Sequence, residues 1–342
     1  KQSTSKRMYQ SFLDHVVEEA LDILNLRDNE KSLYTGGYII HTTMDQKVQN
    51  SIETVFNDDS NFPNKEVQAA MIITEPETGA IRGVVGARNQ SGARQMNRAT
   101  QMYRQPGSSF KPLAVYAPAF EAGYGPGTVV DDYPKDYDGH VFQNSDRKSS
   151  GLTTLRKGII SSLNVVAVKT MEMTGVNECY KFLTELGFSK LNDDDRNLST
   201  ALGGVSVGVS PMEMAGAYGA IANGGQAITP YIVSSPSDLL STVTSPVSSN
   251  ITLSAETAKK VRKLLRSNVK NYYGDSKFPG LKMCGKTGSA EVSNGKSHAW
   301  FTGFLEDEEH PYAFVVLVER GGGGLSTAGV LANTLLQEAI KK

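Results

Sequence analysis

Apolar runs of strand length stand at both ends of this chain and are missing from its middle. Residues 67–74 (Val-Gln-Ala-Ala-Met-Ile-Ile-Thr) and 80–85 (Ala-Ile-Arg-Gly-Val-Val) flank Glu75-Pro76-Glu77-Thr78-Gly79. Turn residues between two strand-forming runs read as a hairpin. Further runs at 281–287, 298–304 and 312–318 come late in the sequence. The intervening stretch, from 108 to 270, reads mostly as helix and loop. Strands at both ends with helices between them predict an α+β domain with one antiparallel sheet built from both chain ends.

Flanking signals fit that plan. Phe12, Val16, Ala20, Leu21 and Leu24 lie at helical spacing within Lys1–Leu26. Gly36 and Gly37 break the chain, and Tyr38–Thr43 reads as a strand. Asp45 is placed to cap a helix through Val48, Ile52 and Val55. A closing helix, Ala328–Ile340, follows the glycine run 321–324.

Composition excludes several classes of function. The 342 residues are enough for a sizeable core. They carry 35 basic and 36 acidic side chains, a formal charge of −1. That balance argues against nucleic acid as a partner, since such sites show a clustered basic excess. The basic stretch Lys259–Lys270 alternates with Val261, Leu264, Leu265 and Val269, as the solvated face of an amphipathic helix does. Cys179 and Cys284 make neither a disulfide framework nor a metal cluster, and the five histidines are scattered. No metal and no cofactor is expected. No apolar run approaches the roughly 18–20 residues that cross a bilayer. The chain opens at Lys1 rather than at a methionine, so the lack of such a run says nothing against the N-terminal membrane anchor expected of the natural protein.

Three short patterns carry chemistry. Ser-x-x-Lys puts a lysine one helical turn from a serine, where it can act as the base that a poor nucleophile needs. The pattern occurs at Ser3, Ser108, Ser145, Ser267 and Ser293. Context selects Ser108, which follows Pro106-Gly107 and opens an apolar helix face of Phe110, Leu113, Ala114, Ala117 and Phe120. A helix N-terminus favours developing negative charge, and burial lowers the pKa of a lysine such as Lys111. Ser-x-Asn occurs at Ser162–Asn164 and at Ser248–Asn250. The second lies in the Ser/Thr/Pro-rich loop Ser234–Asn250, whereas the first precedes Val165-Val166-Ala167-Val168, so Ser162 is preferred. Lys286-Thr287-Gly288-Ser289 occurs once and offers a cation, two hydroxyls and a close-approach glycine to a carboxylate. Gly280-Leu-Lys-Met-Cys-Gly285-Lys286-Thr287 also fits a nucleotide-binding P-loop, with Glu319 as its acidic partner. That reading fails on context, because no apolar strand precedes Gly280 and no helix start follows Thr287.

The order Ser108, Ser162, Lys286 resembles the penicilloyl-serine transferases, the superfamily of penicillin-binding proteins and serine β-lactamases. Longer words sharpen the likeness to high-molecular-mass penicillin-binding proteins. They are Asn97-Arg98-Ala99-Thr100, Arg104-Gln105-Pro106-Gly107-Ser108-Ser109-Phe110-Lys111-Pro112, Gly203-Gly204, Val209–Ala215, Ala222-Asn223-Gly224-Gly225, Gly285–Glu291 and Ala299–Gly303. The Arg104–Pro112 and Val209–Ala215 words look like class A proteins; Lys286–Glu291 and His298–Phe301 look like class B. The resemblance implies a β-lactamase/transpeptidase-like fold, with a five-stranded antiparallel sheet, flanking helices and a central helical subdomain. It implies a transpeptidase domain over 36–342, with 1–35 as a juxtamembrane or linker segment.

The same resemblance implies roles for the site. Ser108 is the acylated nucleophile, Lys111 its base, Ser162 the proton relay, and Lys286 the positioner of that relay. Asn164 binds the substrate peptide. Thr287, Gly288 and Ser289 receive the substrate, the two hydroxyls taking its terminal carboxylate. The backbone N–H groups of Ser108 and Ser289 form the oxyanion hole. The implied function is peptidoglycan D,D-transpeptidation, outside the cytoplasm, on stem peptides ending in D-Ala-D-Ala. β-Lactams are expected to acylate Ser108, and a glycosyltransferase is an expected fused or separate partner. The motifs do not separate transpeptidation from D,D-carboxypeptidation, and a β-lactam sensor would carry them too. A β-lactamase needs a deacylating carboxylate, and Phe188-Ser-Lys-Leu-Asn192 lacks the glutamate such a word requires. Trp300, Cys284 and Glu291 read as a packed strand residue, a core or cleft-wall thiol and a strand terminus.

Overall fold

A computed structural model describes residues 8–90, 92–234 and 249–341. Ser3, Ser248 and most of the expected loop Ser234–Asn250 lie outside the described residues.

Five strands form the main sheet: β1 (Ala69–Thr74), β2 (Ile81–Val85), β3 (Met283–Ala290), β4 (His298–Leu305) and β5 (Ala313–Val318). Their order is β3-β4-β5-β1-β2, antiparallel throughout, so the early hairpin joins the late strands through the β5–β1 pairing. This is the expected sheet. All of its strands but the edge strand β3 read as largely apolar runs because both faces are covered. On one face, Met71, Ile73, Phe301, Phe314 and Val316 pack with Ile52 and Phe56 of α1 (Gln46–Phe56) and Leu335 of the closing helix Val330–Ile340. On the other, Ile72, Cys284, Trp300, Val315 and Leu317 meet the central helices, including Met214, Ala217 and Tyr218 of α2 (Pro211–Ala222).

Local signals explain the ends of these elements. Asp45 accepts hydrogen bonds from Lys47 N and Val48 N, capping α1 as its sequence predicts. Ser210 and Glu213 form a reciprocal capping box at the start of α2. The opening helix spans Gln10–Ile23, and its Phe12 and Val16 enter the same core as Trp300. Tyr38–Thr43 is a strand only at His41–Thr42, which pairs with Val233–Ser234. The basic helix, Ala255–Ser267, buries Val261, Leu264 and Leu265 as expected.

One departure concerns the segment that follows Gly107. It is a 3₁₀ turn (Gly107–Phe110), then a π turn (Pro112–Tyr116), then an α-helix (Ala117–Glu121), rather than one regular helix. The prolines account for this. Pro112 has no N–H for Ser108 O, and Lys111 N takes that carbonyl instead. Pro118 cannot bond Ala114 O, its ring would crowd that carbonyl, and Ala117 N reaches back to Pro112 O. Short strands at Val129–Asp131 and Leu152–Thr154 also pair within the middle region, where mostly helix and loop were expected.

Candidate active site

Strand β3 lies at the sheet edge, and the turn bearing Ser108 packs directly on it. Gly107 has φ +55, and a Cβ there would stand 2.5 Å from Ser289 O. A Cβ on Gly288 would stand 2.2 Å from Pro106 O. Glycine at both positions is therefore what lets the two backbones touch. Gly203 closes on the same turn, since its Cβ would lie 2.4 Å from Gly107 O.

The approach to Ser108 is tied down at several points. Arg104 and Val209 exchange both backbone hydrogen bonds, at 3.1 and 2.9 Å. Ser109 Oγ donates to Pro106 O at 2.7 Å, and Tyr218 Oη donates to Ser109 O at 2.7 Å. Glu319 accepts from Arg98 at 2.6 Å and from Arg104 at 3.0 Å. Burial alone would push the Glu319 carboxyl up; its two arginine partners outweigh that and hold it below its ordinary value. This residue, the acidic partner of the P-loop reading, thus serves an ion-pair cluster. Residues 283–290 are a strand rather than a phosphate loop, and the P-loop reading is excluded.

Lys111 and Lys286 converge from opposite sides on Ser162. Lys111 Nζ donates to Ser162 O at 2.7 Å and Asn164 Oδ1 at 2.7 Å, and lies 3.3 Å from Ser162 Oγ. Lys286 Nζ donates to Ser162 Oγ at 2.9 Å and Thr287 O at 3.3 Å. Lys111 is 0% and Lys286 1% exposed, and every recorded partner of the two amines is a neutral oxygen. Two buried cations without a carboxylate are strongly disfavoured. Burial pulls Lys111 well below the ordinary lysine pKa, and the charge of Lys286 acts in the same direction.

Thus the structure brings Lys111, Ser162, Asn164 and Lys286 into one hydrogen-bonded cluster. It sets Ser108 beside Gly288 and Ser289 through the glycine contacts. Ser108 is half-buried and its hydroxyl enters none of the cluster's hydrogen bonds. Thr287 is half-buried and Ser289 exposed at the free edge of β3.

Sequence reasoning missed two supports. Asn144 Oδ1 accepts from Asn164 N at 2.7 Å and Val165 N at 3.1 Å, capping the helix Asn164–Thr174 from a distant loop. Its Nδ2 is held by the buried carboxylate of Asp132 at 3.0 Å. Tyr273 Oη accepts from Thr287 N at 2.9 Å and lies 2.8 Å from Thr287 Oγ1. No motif marks either residue, although Tyr273 continues the buried row Val261, Leu265, Val269 at four-residue spacing. Trp300 packs in the core opposite Gly288, and burial pushes the Cys284 thiol up, which suits an inert core cysteine. Glu291 is exposed just past β3.

Ser162 adopts φ +55, a left-handed conformation that costs an L-residue about 1–2 kcal/mol. Strain of this kind gathers at functional sites. Ser162→Gly and Ser162→Ala both remove the hydroxyl, but only glycine relieves the strain. Ser162→Gly should therefore be more stable than Ser162→Ala by about 1 kcal/mol in chemical denaturation. Both should acylate at least about tenfold more slowly than wild type. Equal stabilities would show that the backbone at Ser162 is unstrained.

This chain resembles known proteins over most of its length. The family model of the penicillin binding protein transpeptidase domain matches residues 69–338. Penicillin-binding protein 2a of Streptococcus pneumoniae is 33% identical over 313 residues, covering 87% of this chain and 42% of that protein. Penicillin-binding protein 1F of Bacillus subtilis is 30% identical over 319 residues, covering 89% of this chain and 43% of that protein. The chain spans less than half the length of these curated relatives. Among solved structures, PonA1 from Mycobacterium tuberculosis in complex with penicillin V aligns with TM-score 0.84 at 22% identity, covering 98% of this chain and 94% of that one. That likeness shows the β-lactamase-like transpeptidase fold. By its sequence match and its architecture, the chain belongs to the penicillin binding protein transpeptidase domain family.

Proposed function

We propose that this domain is a serine D,D-transpeptidase that cross-links peptidoglycan stem peptides outside the cytoplasm and is acylated by β-lactams at Ser108. The observation that carries the reading is the convergence of two buried lysines on Ser162, beside a free serine hydroxyl at the edge of β3. A neutral Lys111 has two N–H bonds and one lone pair. Its two short contacts, to Ser162 O and Asn164 Oδ1, use the N–H bonds and leave the lone pair to accept the Ser108 proton. Lys286 donates to Ser162 Oγ, which leaves the Ser162 proton free for a leaving amine.

The reaction then runs in two balanced steps. Ser108 Oγ attacks the carbonyl of the penultimate D-alanine and gives its proton to Lys111. Ser108 N–H and Ser289 N–H hold the oxyanion. The C–N bond breaks, and the terminal D-alanine leaves with a proton relayed through Ser162. An amine of a neighbouring stem next attacks the ester, forms the cross-link amide and returns the proton to Ser108. With a β-lactam, the opened ring stays tethered and blocks the amine's path. Among the described residues the two lysines meet no carboxylate that could activate water, so the penicilloyl ester should last from minutes to hours.

Turnover tests this reading against its alternatives. A D-Ala-D-Ala peptide or an acyl-D-alanine thioester, offered with a D-amino acid amine, should give an aminolysis product that Ser108→Ala does not make. Hydrolysis without aminolysis would identify a D,D-carboxypeptidase. Acylation by penicillin without any turnover would identify a sensor, and hydrolysed penicillin within seconds a β-lactamase.

A further inference from the structure

Tyr273 belongs to none of the sequence motifs, yet it is the side chain that holds Thr287. It sits in the π-helical segment Asn268–Gly274, is 5% exposed, and packs its ring against Phe301 at a centroid distance of 6.1 Å. Among the described residues its hydroxyl makes two hydrogen-bond contacts, both to Thr287: the backbone N at 2.9 Å and Oγ1 at 2.8 Å. The backbone N–H can only donate, so the phenol oxygen accepts there. The phenol proton then needs an acceptor of its own, and the oxygen in place is Thr287 Oγ1. If Oγ1 accepts from Tyr273, its own proton is turned away from the phenol, and the half-buried Thr287 at the sheet edge leaves that proton open to a ligand.

We infer that Tyr273 is a positioning residue that fixes the Thr287 hydroxyl as a donor, and so selects acyl donors carrying a free carboxylate. The inference rests on the acyltransferase reading of the site. Its logic is a one-way relay: Thr287 N–H to the phenol, phenol to Thr287 Oγ1, and Thr287 O–H to the ligand's anion. Without the phenol, the Thr287 hydroxyl rotates freely and can spend its proton on other acceptors. The edge amide of Thr287 also loses its partner, which loosens β3 between Lys286 and Ser289. A hydrogen bond to a charged group is among the stronger ones, so its loss should be measurable in ligand capture.

The test uses Tyr273→Phe, which keeps the ring and its packing. Second-order acylation rates are measured with benzylpenicillin and with its methyl ester. The variant should lose about tenfold with the carboxylate ligand and less than about twofold with the ester. The limiting acylation rate at saturating benzylpenicillin should hold near wild type. In a Thr287→Val background, Tyr273→Phe should cost no further carboxylate preference, closing a double-mutant cycle. Equal losses with both ligands would mean a purely structural residue, and no loss with either would mean an idle hydroxyl; each overturns the inference alone. A wild-type chain that forms no adduct with benzylpenicillin overturns the acyltransferase reading and this inference with it.

Discussion

Replacing Lys111 with alanine should slow acylation by benzylpenicillin at least about 100-fold, with an unchanged circular dichroism spectrum. The effect follows from where Lys111 sits. It is wholly buried, burial and Lys286 both favour its neutral form, and its two N–H bonds are already committed to Ser162 and Asn164. The pH dependence gives a sharper signature. The folded pKa lies below the ordinary lysine value of 10.5, so between the two values the unfolded chain binds more protons. Stability from this group therefore rises with pH across that window, and its burial cost is fully present below the folded pKa. The wild-type acylation rate should climb with pH as Lys111 deprotonates, and Lys111→Ala should lack that limb. Stopped-flow rates near wild type, with the limb retained, would remove Lys111 from the mechanism.

Gly107→Ala should reduce acylation by about 100-fold through geometry alone, since a displacement of about 1 Å at a reacting centre can cost that much. The new methyl would meet Ser289 O at 2.5 Å, Ser289 C at 2.9 Å and Ser289 N at 3.1 Å. All three are strand backbone and cannot rotate aside. The φ of +55 adds its own penalty for alanine. Either β3 withdraws, taking the Ser289 N–H from its proposed place in the oxyanion hole, or the Ser108 turn unwinds. Gly125→Ala is the control, because a methyl there meets nothing within 4 Å. Its acylation rate and melting temperature should match wild type, while Gly107→Ala loses both. Full activity in Gly107→Ala would mean that the turn and the strand edge act independently.

Much of this was legible in the sequence, and the reasons are specific. β1, β2, β4 and β5 showed because the sheet is covered on both faces there, which turns them into largely apolar runs. Asp45 announced α1 because a cap is a local interaction. Ser108, Ser162 and Lys286 were legible because each belongs to a short word. The π turn at Pro112–Tyr116 was not, because apolar spacing looks the same whether or not a carbonyl is skipped. Neither were Asn144 and Tyr273. They act 20 and 14 residues from their partners Asn164 and Thr287, and neither belongs to a short word. Such contacts arise from tertiary placement and leave no trace in composition or spacing.

Intact-mass spectrometry after incubation with benzylpenicillin, followed by peptide mapping of the adduct, tests the central claim most directly. The account predicts one penicilloyl group, on Ser108, that persists for minutes to hours and is absent from Ser108→Ala. An adduct on Ser145, Ser267 or Ser293, or one that survives in Ser108→Ala, would contradict it.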